Sequence, residues 1–217
     1  MRVRLITTIL ALVCCFGVLA CARQAHNTGE PRTTVLGQII HVAPFTQPVS
    51  TSELITGFIP EQQGRIPIDM LLSLDKKLRE VLTTDTKRGC TWLARTHDIP
   101  NMARFHTSEQ PQALPLWVAY GKKQGAKLLL IPQVLNWNER AGSNAGVVRA
   151  AHVRIEFFLL NVPEGALAGR SVFEEEQVGL TENLLTVGSF IQRRGVWVTA
   201  DVLAVEGMRK AVRELGL

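Results

Sequence analysis

The stretch AKLLLIPQVLNW, residues 126–137, decides the fold. It follows directly on YGKKQG (120–125) and carries an apolar side chain at almost every position, so both sides of an extended chain here are oily. A strand with one wet face alternates polar and apolar residues; a continuous apolar run is what a strand covered on both faces looks like, as in the parallel sheets of α/β proteins. Pro132 brings no N–H to the ladder and requires a bulge or a departure from pairing at that point.

Upstream, Leu114 to Gln124 reads as a helix, with Pro115 near its start and Gly125 beyond its end. CTWLA (90–94) reads as a short buried strand. PIDMLLSLDKKLREVL (67–82) sets Leu71, Leu74, Leu78 and Val81 at helical spacing, with Asp75, Lys76, Arg79 and Glu80 on the other side. TVLGQIIHVAPF (34–45) supplies a first strand. Strand, helix, strand, helix, strand in this order implies right-handed parallel crossovers. Two connections, 46–66 and 95–112, are long for a compact domain, and such loops are usually functional or disordered.

Downstream, RAGSNAG (140–146) is a turn-rich tip. VVRAAHVRIEFFLLNV (147–162) then alternates, with His152, Arg154 and Glu156 predicting one face wet over half its length. Pro163-Glu164-Gly165 turns the chain into SVFEEEQV, where alternation sends Glu174 and Glu176 to one face and Glu175 to the other, a solvent-facing edge rather than a cation site. A helix is expected over Thr181–Gln192. Another runs from about Ala200, with Val202, Val205, Met208, Val212 and Leu215 as its apolar stripe and Glu206 four residues before Lys210. The fold class expected is α/β, a mixed sheet with parallel βαβ units followed by an antiparallel meander, covered by helices.

The first residues give an address. Arg2 and Arg4 precede an uncharged run from Leu5 to Ala20, too short to span a membrane comfortably and ending in small residues as secretory signals do. Val18-Leu19-Ala20-Cys21 resembles the lipobox of bacterial lipoproteins, so residues 1–20 are expected to be cleaved and Cys21 to carry lipid. Cys14 and Cys15 would leave with the leader. The resemblance implies a di- or triacylated Cys21, and stable anchoring does need more than one chain. Ala22, where an Asp would signal inner-membrane retention, favours the outer membrane. Residues 21–33 read as lipidated Cys and tether, and 34–217 as a single α/β domain.

Loss of the leader lowers the net charge from +5 to +3, too weak and too scattered to imply nucleic acid. With Cys21 lipidated, Cys90 has no intramolecular disulfide partner and reads as a buried thiol that packs as a small hydrophobe.

HVAPF after the first strand, the helix PIDMLLSLDKKLREVL and the phrase YGKKQGAKLLLIPQV resemble, in order of elements, the envelope lipoproteins related to CsgG and LpoB and the TolB amino-terminal domain. The resemblance spans about Thr34 to Val162 and implies binding to other envelope proteins rather than chemistry. A membrane pore would need paired hairpin strands of alternating character; SVFEEEQV is apolar on neither face.

No catalytic constellation and no metal motif emerges. His26, His41, His97, His106 and His152 form no HExxH or His-Cys group, His97-Asp98 stands as a lone pair in a loop, and GSNAG lacks the Lys-Ser/Thr of a phosphate loop and precedes a strand. No cofactor is expected. The leading expectation is a contact protein held to the membrane by lipid on Cys21. Its partners would be other envelope proteins, with homo-oligomerisation left open, and its surface would lie at the carboxyl ends of the parallel strands. Phe45, Phe58, Ile59, Met102 and Phe105 are the candidate anchors, and Trp137 with the 140–146 tip a second surface. A periplasmic hydrolase using His97 or His106, or a small-ligand carrier, is the alternative.

Overall fold

Leu128 to Asn138 forms β3, and every residue from Leu128 to Trp137 is buried. Its neighbour β6, His152–Asn161, is buried from Val153 to Leu160. These two strands are the centre of a five-stranded sheet of order β2-β1-β3-β6-β7, in which β1 is Ile40–Val42, β2 Cys90–Trp92 and β7 Ala166–Glu176. β1 runs parallel to β2 and β3, while β3, β6 and β7 form the antiparallel meander. The sheet is therefore mixed, as the sequence predicts.

This computed structural model describes residues 37–96, 109–143, 146–176 and 198–217. Cys21, the leader, the tether, the 181–192 helix, His26, His97, Met102, Phe105 and His106 lie outside the described residues. On either side of residues 144–145, β4 (Ala141–Ser143) pairs antiparallel with β5 (Gly146–Arg149).

Among the described residues, three α-helices cover the sheet. α1 (Ile68–Asp85) and α3 (Ala200–Glu214) share one apolar cluster with Val42, Leu130, Ile155 and Phe157. α2 (Ala113–Lys123) packs through Trp117 and Tyr120 on the opposite face, against Leu129, Ile131 and Phe158. Each Leu, Ile or Phe fully removed from water contributes about 1.5–3 kcal/mol, so the two clusters hold most of the driving force.

Pro132 pairs with Phe157 without disturbing the β6 ladder; the bulge lies instead between Val134 and Asn136. Its missing N–H falls on the β1 side. There Ala43 N–H donates to Leu130 O, the chain swings out through Pro44 and Phe45, and Thr46 N–H rejoins at Pro132 O. The departure from pairing is thus on the partner chain.

Three expectations need correction. β2 is half-buried rather than buried, because it is an edge strand with Thr91 exposed. The α3 stripe is rotated: Leu203, Ala204, Gly207, Met208, Ala211 and Val212 are buried, whereas Val202 is 42% exposed and Val205 half-buried. The small residues face inward because the helix lies close to β7; a Cβ on Gly207 would stand 2.8 Å from the Phe173 ring.

The third correction concerns the polar half of β6. Arg154 and Glu156 are buried, Glu156 completely. A carboxylate there is tolerable only when paired, and Glu156 accepts from Arg170 Nη2 at 2.7 Å, Arg170 Nε at 3.0 Å and Arg154 Nη2 at 3.1 Å. Residues 50–59 cover this face, with the Phe58 ring 4.8 Å from the Arg154 guanidinium carbon. Alternation in the sequence is the same whether the polar face meets water or meets its own counter-ions.

Glu156→Leu is predicted to cost about 3 kcal/mol in urea unfolding, because it leaves the buried Arg154 charge with only the exposed Glu174, 3.4 Å away, as counter-ion. Combining it with Arg154→Met should recover most of that loss. Equal losses in the single and double variants would show that shape, not charge, is what the site requires.

Candidate functional site

The carboxyl ends of β1 and β2 open into a cleft of about 370 Å³ against the outer side of α1, lined by Val42–Pro44, Leu72, Asp75, Lys76, Leu78, Arg79 and Trp92–Arg95. Three elements shape it. β1 stops at Val42 because Pro44 cannot continue the ladder, α1 crosses above with its Leu71, Leu74 and Leu78 side turned to the core, and β2 ends in the turnless stretch Leu93–Thr96.

At the floor, the backbone of Phe45 has left the sheet and is held by an ion pair. Phe45 N–H donates to Asp75 Oδ1 at 2.7 Å, and Arg95 Nη2 donates both to Phe45 O and to Asp75 Oδ2, each at 2.8 Å. One carboxylate and one guanidinium thus satisfy both polar groups of a buried residue, as a β-ladder otherwise would. Both side chains are about a quarter exposed, so their value lies in these backbone bonds more than in Coulomb attraction across water.

The wall is apolar and basic. Arg79 lies over the Trp92 ring at 4.7 Å, a contact worth about 0.5–1 kcal/mol at an exposed site. Leu72 is 45% exposed and Ile68, one turn earlier, 62%; i,i+4 spacing puts them on one stripe of α1. Lys76 and Arg79 stand on the same side of the helix, while Lys77 turns the other way to pair with Asp201 of α3 at 3.0 Å.

Among the described residues, those singled out from the sequence scatter. Phe45 is fully buried, its ring edge-on to Phe157 at 6.0 Å, so it is core rather than anchor. Trp137 is likewise buried and offers no surface. Phe58 is 61% exposed and Ile59 half-buried, both on the face opposite α1. His41 is half-buried in β1, where burial pushes its pKa below the ordinary range. His152 lies between Asn136 Nδ2, 3.0 Å from its Nδ1, and Glu174 Oε1, 3.4 Å from its Nε2. Among the described residues no cluster of His, Cys, Asp and Glu is arranged to hold a metal.

Cys90 sits half-buried at the start of β2, its thiol directed toward Arg88 O. Burial pushes the thiol pKa up, while the Arg88 charge pulls the other way. Sequence reasoning missed Asp75, Arg79, Trp92 and Arg95 as a group. The available signal was Asp75 on an otherwise outward helix face, thirty residues from the backbone it serves.

No family model matches the sequence, and no curated protein matches it. Several solved structures resemble the fold. The PelC dodecamer from Paraburkholderia phytofirmans is 14% identical with a TM-score of 0.46, over 82% of this chain and 87% of that one. Lipoprotein GNA1162 from Neisseria meningitidis is 10% identical with a TM-score of 0.37, over 72% of this chain and 96% of that one. The LpoB C-terminal domain from Salmonella enterica is 12% identical with a TM-score of 0.34, over 65% and 84%. At these identities and scores the likenesses assign no role to any residue.

Arg95→Met and Asp75→Ala are each predicted to cost about 1.5–3 kcal/mol, the usual value of hydrogen bonds to charged groups. The double variant should cost less than the sum by at least about 0.5 kcal/mol, since the two hold one backbone unit together. Simple additivity in denaturant unfolding would contradict the shared clamp.

Proposed function

We propose that this protein is a lipid-anchored lipoprotein of the bacterial envelope, held by Cys21 to the periplasmic side of the outer membrane, that works by contact with other envelope proteins rather than by catalysis. The observation that carries the contact reading is the cleft beyond β1 and β2, where the sheet end meets an apolar and basic wall. The carboxyl ends of strands in open α/β sheets are where such crevices form. Leu-Ala-Cys after an uncharged run behind two arginines supports the anchor.

The reading places the working surface on α1 and β2, not on the Phe58 side of the loop. A few Trp, Tyr or Arg anchors dominate most protein interfaces; Arg79 and Trp92 are of those types, and Leu72 adds exposed apolar area beside them.

In cells, Cys21→Ser should lose acyl-label incorporation and release the protein from salt-washed membranes. A photo-cross-linking residue in place of Leu72 should give a discrete adduct that the same residue at Val202 does not. Retained labelling in Cys21→Ser would refute the anchor, and absence of adducts from Leu72 would refute the contact surface. Loss of function on replacing His97 and His106 together, with adducts preserved, would favour the hydrolase.

A further inference from the structure

We infer that the outer edge of β2 receives an extended, acidic segment of a partner protein, which adds to the sheet as a further strand and seats an aliphatic side chain in the adjoining cleft. This rests on the contact reading above and names the chemistry of its partner.

The backbone directions come from the ladder. Ile40 N–H donates to Gly89 O and Leu93 N–H donates to Val42 O, each at 3.0 Å, with Cys90 opposite Ile40 and Trp92 opposite Val42. Residues 89, 91 and 93 therefore turn their N–H and C=O to β1. The N–H and C=O of Cys90 and Trp92 point away from the sheet, where, among the described residues, no strand lies beyond them. At the opposite edge Lys210 Nζ reaches back to Val172 O at 2.8 Å, occupying an edge carbonyl.

The surroundings select the occupant. Of the charged residues lining the cleft, Arg95 and Asp75 neutralise each other, which leaves Lys76 and Arg79 as its surplus positive charge. Glu80, the next acid on α1, lines a separate groove facing Val205 and Arg209 of α3. The field beside β2 is thus positive. A strand laid there puts alternate side chains toward α1, and carboxylates at those positions meet Lys76 and Arg79.

β2 is only three residues long, so main-chain bonds alone give little affinity, and pocket and charge must supply the rest, as in other strand-addition complexes. Basic side chains beside an edge also serve to discourage pairing, but that role needs no cleft with exposed Leu72 at its rim. An anionic lipid surface would use the charges and leave the backbone donors and the cleft idle.

The test uses the full chain with Cys21→Ser and a fluorescein-labelled peptide in which Glu alternates with Leu and Val. Fluorescence anisotropy should show saturable binding, weakened tenfold or more by Lys76→Glu combined with Arg79→Glu, and absent for the peptide with Lys in place of Glu. Cys90→Pro removes an outward N–H without touching the β1 ladder and should also weaken binding about tenfold, while Cys90→Ala stays within about twofold. Should Cys90→Pro fail to fold, N-methylation of the peptide along one edge provides the same check: one edge should abolish binding and the other preserve it. Binding indifferent to both backbone changes would overturn strand addition.

Other outcomes also decide. Adducts from Leu72 in cells with no peptide affinity would sink this inference and leave the contact reading standing. Attachment to phosphatidylethanolamine–phosphatidylglycerol vesicles, lost in the charge-reversed variant and with no peptide binding, would assign the edge to lipid. Self-association abolished by the same charge reversal would make the occupant a second copy, and either result overturns the proposal.

Discussion

Two adjacent strands with no wet face impose the condition that the rest of the chain meets. β3 and β6 bury side chains on both sides over nearly their whole length, so an uncovered face would expose a large apolar patch. Helices must therefore lie on both faces. α1 and α3 take one, α2 with residues 50–59 the other, and the parallel entry through β1 and β2 is what delivers successive helices to opposite sides. Where β6 turns polar, covering it forces Arg154 and Arg170 onto Glu156, with Glu174 as the second carboxylate beside Arg154.

The same condition governs the long connection after β1. To pass from the α2 face to the α1 face the chain must round the end of β3, and its backbone polar groups must be satisfied on the way. Side-chain amides do this. Gln47 receives Ile66 N–H and donates to Gly64 O, Gln63 donates to Pro48 O, and Asn136 receives Gly64 N–H at 2.7 Å. Gly64 is required there because a Cβ would fall 2.1 Å from Trp137 O. The loop is long to make this crossing, and its path leaves the cleft on the α1 side uncovered by the other described residues.

What could be read from residues was what depends on periodicity. The runs at 67–82, 114–124 and 126–137 became α1, α2 and β3 within a few residues, since their apolar spacing and flanking Pro and Gly admit one reading. What could not be read depends on position in the sheet. Nothing in CTWLA distinguishes an edge strand from a central one, and nothing in HVRIEF distinguishes polar groups that meet water from those that meet each other. Phe45 looked like an exposed anchor because the chain around it is irregular, yet an aromatic at a strand exit can turn inward when Asp75 and Arg95 satisfy its backbone. The cleft was visible only as a region, the carboxyl ends of the parallel strands; its residues come from three separated segments.

The central claim is an open, basic edge on a rigid sheet. Residue-resolved amide hydrogen exchange on the free protein tests it most directly, because exchange reports which backbone groups are held by the fold. The amides of Leu129, Ile131 and Phe158 should exchange only with global unfolding, Thr91 and Leu93 more slowly than their neighbours, and Cys90 and Trp92 close to the rate of unprotected backbone. Protection of Cys90 and Trp92 equal to that of Leu129 would mean that the edge is already occupied, and would contradict the account.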